Sequence, residues 1–358
     1  MDLDQFQVSV ERLRSPELLG VPVIVGGNGD PTEARKVVTC ASYEARDAGV
    51  RAGMPLRAAH RKMPYAVYLP LDIPAYDVAS GEVMSVLRSF GHPVEVWGWD
   101  EAYMGVGLLG DTTTEVDDAD ITEIARSIRA AILRRNGLSC SIGVSDNKQR
   151  AKMATGFAKQ DPDTKIFLLD DRNWLERMGQ RPCRDLWSVG PKTAAKLTDR
   201  GIGTVTDLIA TPRDHLIATF GPHQGNWLYV LCRGGGDPTI TVEPWLARSH
   251  SKSRTFPHDL TEPEVLHGAA RELTVEALEQ VLAEGRVVFR VAVTVRTSTF
   301  YTRTKSRKLP QETTSYDDIA PVVLDLLDAF EVERPVRLLG VRLDLVTDYE
   351  FEPTEVDA

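Results

Sequence analysis

The sequence predicts an α+β multidomain protein: a first domain of mixed strands and helices to about residue 165, a compact helical domain to about 231, and an α/β domain from about 245. Three observations carry this. A chain of 358 residues exceeds what one hydrophobic core usually serves. Apolar segments of period two alternate with segments of helical period in the first and last thirds. Between them, Cys232-Arg233-Gly234-Gly235-Gly236-Asp237-Pro238 cannot continue an ordinary helix or strand and reads as a linker. Hydrophobic residues at 42% and charged residues at 26% exclude a disordered or fibrous chain. No segment approaches the roughly 18 apolar residues of a membrane span, and no leader opens the chain, so a cytoplasmic protein without membrane contact is expected. Cys40, Cys140, Cys183 and Cys232 lack CxxC spacing and read as reduced thiols in or near a core.

The elements follow in order. Asp2-Leu3-Asp4 alternates carboxylate and apolar residue as a short strand that feeds a helix starting near Phe6. Val21 to Val25 is a buried strand ended by Gly26-Gly27-Asn28-Gly29-Asp30-Pro31, a loop and not a dinucleotide cradle, because a proline follows where a helix would start. Val37 to Thr39 leads to a helix through Tyr43 and Arg46, and Ala52 to Arg61 gives another. Residues 94 to 104 read as paired strands with Asp100 and Glu101 at the turn. Ile121 to Leu133 is helical, Leu138 to Val144 a strand, and Asn147 to Lys159 a helix carrying Lys148, Lys152 and Lys159. The last domain has a helix over Glu262 to Ala283 and strands over Val287 to Tyr301 and Val336 to Val346.

The net charge of −10 argues against a polyanionic partner until its distribution is considered. From residue 311 on, three arginines face thirteen acids, which accounts for all of it. Residues 286 to 309 hold seven cations and no acid, a local basic ribbon that either contacts a polyanion or is a solvated sheet face.

Four constellations bear on chemistry. Asp2, Asp100 and Glu101 are carboxylates set among apolar and aromatic residues, costly to bury together unless a divalent cation neutralises them. Oxygen ligands without His or Cys select Mg²⁺ or Mn²⁺, and two such ions suit an in-line phosphoryl displacement. Spacing alone fits two solvated strand-end acids better. Tyr43 and Arg46 share a helix face and, with Lys159, suit a triphosphate, although a solvated face is the plainer account of the spacing. Trp187-Ser188-Val189-Gly190-Pro191-Lys192-Thr193 has the pattern of a helix-hairpin-helix, whose turn amides at Val189 and Gly190 and helix start at Lys192 and Thr193 face phosphate. On the ribbon, Arg290, Thr294, Arg296 and Ser298 fall on one face, opposite Phe289, Val291, Val293 and Val295. Ser251, Lys252, Ser253 and Arg254 offer a neighbouring strand of the same kind, and Arg337 and Arg342 a further one.

In this order the pieces resemble a Y-family translesion DNA polymerase of the DinB branch. The carrying residues are Asp2-Leu3-Asp4-Gln5-Phe6, Ser42 to Arg46, Ala52-Gly53-Met54-Pro55, Trp99 to Tyr103, Ser141 to Ser145 with Asn147-Lys148, Ala158-Lys159, and Trp187 to Thr193, over nearly the whole chain to about residue 346. The resemblance implies a right-hand polymerase: a palm (1–10 and 71–165), fingers (11–70), a helical thumb with a helix-hairpin-helix (166–231), a linker (232–244), a little finger (245–347) and an acidic tail (348–358). It implies that Asp2, the Leu3 carbonyl, Asp100 and Glu101 hold two Mg²⁺ or Mn²⁺ ions. Tyr43, Arg46 and Lys159 would hold the incoming dNTP, with Phe6 and Thr39 lining the pocket. Val189 and Gly190 would grip the primer, and residues 290 to 305, Arg303 among them, the template.

Two departures from the family pattern carry expectations of their own. The family places several apolar residues before the first acid, whereas Met1 directly precedes Asp2 here, which predicts a natural start upstream. Gln7 stands where the family usually carries Tyr or Phe against C2′ of the sugar. A carboxamide is neither flat nor stiff and can hydrogen-bond a 2′-hydroxyl, so ribonucleotides (rNTP) are expected to compete with deoxyribonucleotides. The expected protein is a monomeric, low-fidelity polymerase without proofreading that acts on template-primer DNA. Its tail lacks a clear sliding-clamp motif. The alternatives are a non-catalytic DNA-binding scaffold and, more remotely, a palm-type cyclase.

Overall fold

The computed structural model describes residues 1–107, 118–330 and 334–346. These form two compact units. One comprises Met1–Asp30, Val38–Met54 and Arg61–Glu243; the other comprises Pro31–Val37, Pro55–His60 and the chain from Pro244 on.

The first unit opens with β1 (Asp2–Leu3) and α1 (Phe6–Arg14), joined by Gln5 in the left-handed region at φ 48°. Then follow β2 (Val23–Val25), β3 (Cys40–Ala41), α2 (Tyr43–Asp47), β4 (Val67–Leu69) and α4 (Ile73–Arg88); α3 (Leu56–Lys62), between α2 and β4 in the chain, belongs mostly to the second unit. Next come β5 (Val94–Val96), β6 (Ala102–Met104), α5 (Asp118–Asn136), β7 (Cys140–Val144), α6 (Lys148–Ala158) and β8 (Ile166–Leu168). β1 pairs antiparallel with β7, and β7 parallel with β8. The core beneath is apolar and includes Leu3, Phe6, Tyr76, Leu87, Ile132 and Ile142. β4 and α4 fall where the sequence pattern assigned no element. Val67–Leu69 is a half-buried strand paired with β2, too short to show a period.

The helical stretch holds α7 (Trp174–Met178), α8 (Pro191–Thr198), α9 (Val205–Ala210), α10 (Arg213–Phe220) and α11 (Pro222–Leu231), packed round Leu186, Leu197, Leu208 and Leu228. The glycine-rich segment after it does not hang free at its start. Asn147 donates to the Gly234 carbonyl (2.9 Å), the Asp237 amide donates to Gln149 (2.6 Å), and Lys148 pairs with Asp237 (2.8 Å). A Cβ on Gly236 would stand 2.2 Å from Gln149 Oε1 and 2.3 Å from Asn147 Oδ1, so a larger residue would push aside the side chains that hold this segment.

In the second unit, β9 (Ser249–Leu260), α12 (Pro263–Ala283), β10 (Val288–Thr297), β11 (Thr302–Thr313), α13 (Tyr316–Asp328) and β12 (Val336–Leu345) form a four-stranded antiparallel sheet in the order β11-β10-β12-β9. One face packs on α12 and α13 through Val291, Val293, Val295, Leu339, Val341 and Leu343. The segment 287–301, expected as one strand, turns after Thr297 and returns as β11. All four cysteines are buried and free. Among the described residues no helix is long and apolar enough to cross a membrane. The acidic tail lies outside the described residues.

Candidate active site

Strand register brings the sequence-distant acids together. β1 is held on one side by β7, with Asp2 opposite Ser141, and on the other by the segment before β6: Asp2 bridges Glu101, and the Leu3 amide donates to the Asp100 carbonyl at 2.8 Å. Asp2 is 6% exposed. Burial acts to raise its pKa, but the charges and hydrogen bonds of Lys159 and Lys152 outweigh it and hold the carboxyl below the usual range. Asp100 goes the other way: burial first, then the charges of Asp2 and Glu101, push its carboxyl up. Three hard-oxygen side chains whose mutual repulsion raises one of them suit a divalent cation. Asp2 and Glu101, however, are paired with ammonium groups. Lys152 reaches Asp2 at 2.9 Å and Glu101 at 2.5 Å, and Lys159 pairs with the other Asp2 oxygen. Among the described residues no three His, Cys, Asp or Glu side chains stand as a ligand group for a metal ion.

Both lysines reach the acids because α6 lies against β7. A Cβ on Gly143 would fall 2.1 Å from the Ala151 carbonyl oxygen and 2.3 Å from the Thr155 amide, so helix and strand backbones meet at that glycine. Asn147 caps α6 by accepting from the Arg150 amide at 2.9 Å.

Beside the acids, Tyr43 is gripped by the turn after β1. Its amide donates to Gln5 Oε1 (2.6 Å) and its hydroxyl to Asp4 Oδ1 (3.2 Å). Burial and then the Asp4 charge raise the phenol's pKa strongly. Arg46 lies 5.2 Å from the Tyr43 ring centre and donates to the Ala41 carbonyl at 2.8 Å. Lys159 does not join this pair; it sits on Asp2, where its charge is better compensated. Thr39 donates to Gln7 Oε1 at 2.7 Å and lies 3.1 Å from the Val25 carbonyl. Phe6 is buried against Tyr76, with ring centres 6.1 Å apart.

The pattern-based reading overlooked Asp4, Lys152 and Lys165. Asp4 is 3% exposed and accepts from Ser139 (2.8 Å), Ser141 (3.0 Å) and Lys165 (2.6 Å) as well as from Tyr43. The alternation Asp2-Leu3-Asp4 carried a signal for it, since both acids lie on one strand face. The four- and seven-residue spacing of Lys148, Lys152 and Lys159 carried one for Lys152.

Two expected DNA-facing elements differ from expectation. Before the Val189-Gly190 turn stands only the single 3₁₀ turn Cys183–Asp185, too short for a first helix, because Pro182 and the strained Ser188 (φ 74°) interrupt the chain. After the turn, α8 is followed across Gly201-Ile202-Gly203 by α9, which opens on a capping box from Thr204 to Asp207. Gly190 caps α8 and is exposed with Lys192, while Val189 is buried and Thr193 accepts from Gln224 at 3.2 Å.

The basic ribbon does not lie on one face. Directly opposed residues of antiparallel strands share a face. Arg290 and Lys308 therefore point away from the helices with Thr294, Thr304, Arg296 and Arg342, beside Ser251 and Ser253. Arg303 opposes Val295 and Arg307 opposes Val291, which puts both on the helix side, where Arg307 meets Asp325 of α13 at 3.0 Å. Lys252 and Arg254 likewise face the helices, and Arg254 pairs with Glu272 and Glu276. Ser298 is in the turn and not on β10, and Phe289 is displaced from the core by a bulge that gives its place to Val288. β12, not β9, neighbours β10. Arg337 stacks 4.4 Å over Phe300 at the hairpin tip.

Known proteins are similar to this chain in sequence and fold. The impB/mucB/samB family model matches residues 1–156, its C-terminal domain model matches 247–352, and the thumb-domain model of DNA polymerase-iota matches 184–235. DNA polymerase IV 2 of Mycobacterium tuberculosis is 55% identical over 345 residues, 96% of each chain. DNA polymerase IV of Methanoculleus marisnigri is 35% identical over 346 residues, covering 97% of this chain and 93% of that one. Among solved structures, a Y-family DNA polymerase chimera of Dbh and Dpo4 superposes with a TM-score of 0.82 at 26% identity, covering 96% of this chain and 97% of that one. DinB from Sulfolobus solfataricus gives 0.60 at 25% identity, with coverage of 96% and 97%. Identity spread over the whole chain, together with the shared thumb and C-terminal models, leads to one conclusion: the chain belongs to the impB/mucB/samB family of Y-family DNA polymerases, on its DNA polymerase IV branch.

Proposed function

We propose that the cluster of Asp2, Asp100 and Glu101 is the nucleotidyl-transfer site of this translesion DNA polymerase. The observation that supports it is the meeting of Asp2 with Glu101 across paired backbone, next to an Asp100 carboxyl pushed up by both. Polymerases of this family work with divalent metal ions and nucleotides. Here Asp2, the Leu3 carbonyl, Asp100 and Glu101 would hold two ions, Mg²⁺ or Mn²⁺, which supply charge stabilisation at the attacking and leaving oxygens. Positioning is the task of the chain's own side chains. Arg46 grips the triphosphate bidentately, while the Tyr43 hydroxyl and the Lys159 ammonium leave Asp4 and Asp2, where they rest in this structure, to donate to it and to add a point charge. The palm, fingers, thumb and little finger follow the boundaries given above, with template-primer DNA contacted by the Val189-Gly190 turn and the start of α8, and by the outer sheet face of the C-terminal unit. The scaffold alternative finds no support among the relatives.

Double substitution Asp100→Ala with Glu101→Ala tests the site. Primer extension should fall by at least about a thousandfold while DNA band-shift affinity holds; extension within tenfold of the parent removes these acids from the chemistry.

The sugar reading rests on Gln7 and Thr39. Thr39 engages one end of the Gln7 carboxamide, which leaves the other polar end for a 2′-hydroxyl, a group able to donate or accept. Ribonucleotides are then substrates, and Gln7→Phe or Gln7→Tyr should lower the ratio of rNTP to dNTP incorporation. Equal, strong rejection of ribonucleotides by parent and variants refutes it.

A further inference from the structure

We propose that Lys152 is a built-in competitor for the divalent cation: its ammonium bridges Asp2 and Glu101, and a metal ion gains those oxygens only by displacing it. This rests on the assignment of Asp2 and Glu101 as metal ligands. The geometry supports it from three sides. First, the ammonium is shared between Asp2 of β1 and Glu101 of the segment before β6, 2.9 Å from one and 2.5 Å from the other, so it stands between two oxygens that a bridging cation would also take. Second, its placement is built in. Lys152 follows Ala151, whose carbonyl lies against Gly143 in the closest helix-strand contact of α6, and its side chain is only 23% exposed. Lys159 differs in kind: it touches Asp2 alone and projects from the helix's C-terminal cap. Third, charge leaves little room. Three carboxylates and two ammoniums sum to −1, so one divalent ion added without displacement would make the cluster +1 and a second would make it +3. An ammonium and a divalent ion drawn to the same oxygens repel each other, the more so where burial lowers the effective dielectric.

Mn²⁺ binding to the full chain without DNA or nucleotide, read by electron paramagnetic resonance of the free ion, tests this apart from activity. Lys152→Met should tighten Mn²⁺ binding by about tenfold and lower the melting temperature in chelator, so that added Mn²⁺ raises its melting temperature more than the parent's. Lys152→Arg should stay near the parent. Unchanged or weaker Mn²⁺ binding in a folded Lys152→Met overturns the proposal. If that variant does not fold, the parent decides: Mn²⁺ should increase acylation of Lys152, read by peptide mass spectrometry, and no increase overturns it. Should neither parent nor Lys152→Met bind Mn²⁺, the assignment of the acids as ligands fails first. Binding in both with equal affinity fails the competitor alone.

Discussion

The acid cluster of the first unit and the basic ribbon of the second show opposite relations between sequence and space. Asp2, Glu101, Lys152 and Lys159 are scattered over 158 residues and converge within hydrogen-bond reach. The seven cations of residues 286 to 309 are contiguous and disperse. Arg286 is buried at 4% exposure, Arg303 and Arg307 face the helices, and Arg290 and Lys308 face away. The cause is the same in both places. A strand sends alternate residues to opposite faces, so a contiguous run is divided, while register across strands unites residues that are far apart. A charged site is therefore better sought in residues that share a face on paired strands than in a dense run.

If convergence is what makes the first region a site, removing a buried anchor should cost more than removing any ribbon cation. Asp4→Ala is the sharpest case. It strips four donors of their acceptor, among them the Lys165 ammonium and the Tyr43 hydroxyl. Stability by urea titration should fall by about 3 kcal/mol or more; a loss under about 1 kcal/mol would level the two regions. Acid should act on the same anchor. Burial acts to raise Asp4, but Lys165, Ser139 and Ser141 outweigh it and depress its pKa. A depressed folded pKa contributes stability that is present above the unfolded value near pH 4 and is lost as pH falls through the folded one. Asp100, raised, acts with the opposite sign, but its contribution changes above about pH 4, between its unfolded and folded values, and is flat in the window where Asp4 loses stability. Asp4→Asn should therefore flatten the acid limb of melting temperature against pH.

A smaller effect is expected at the contact that aims the lysines. Gly143→Ala places a methyl group 2.1 Å from the Ala151 carbonyl, backbone against backbone, and α6 must shift. The expected cost is about 1–3 kcal/mol, with a proportionally larger loss of primer extension because Lys152 and Lys159 move with the helix. A stable variant with parental extension would show that α6 can give way without disturbing the acids.

Much of this was legible in the chain, and the gaps have physical reasons. Short strands flanked by clear turn residues placed β1, β2 and the β5–β6 pair near their observed positions, and the Asp100-Glu101 turn with them. β4 escaped notice because three half-buried residues display no period, and β11 because its polar, lysine-rich pattern is that of an edge strand with little to bury. Asp4 was readable as an acid on the Asp2 face, but its partners Ser139, Ser141 and Lys165 are defined only by the β1–β7 pairing and the β8 approach. Lys159 was assigned to a triphosphate by type and position; that it rests on Asp2 depends on how deeply α6 sinks toward Gly143, which no local pattern encodes.

The smallest expected difference separates two cations of the ribbon that sequence alone treats as equivalent. Arg290 is exposed on the outer sheet face, between Lys308 and Asp344 of the neighbouring strands and on the side away from α12 and α13. Arg307, on the next strand, is spent on Asp325 at the helix side, an exposed pair worth about 0–1 kcal/mol. If the outer face meets phosphate, Arg290→Ala should weaken binding of the full chain to primed DNA uniformly across sequences and reduce the slope of log affinity against log salt by about 1. Arg307→Ala should leave that slope unchanged and cost only a little stability. Equal slopes for the two variants would mean that the sheet's division of the ribbon has no bearing on DNA. A larger change for Arg307→Ala would mean that the helix side, with Arg303 and Lys305, carries the contact.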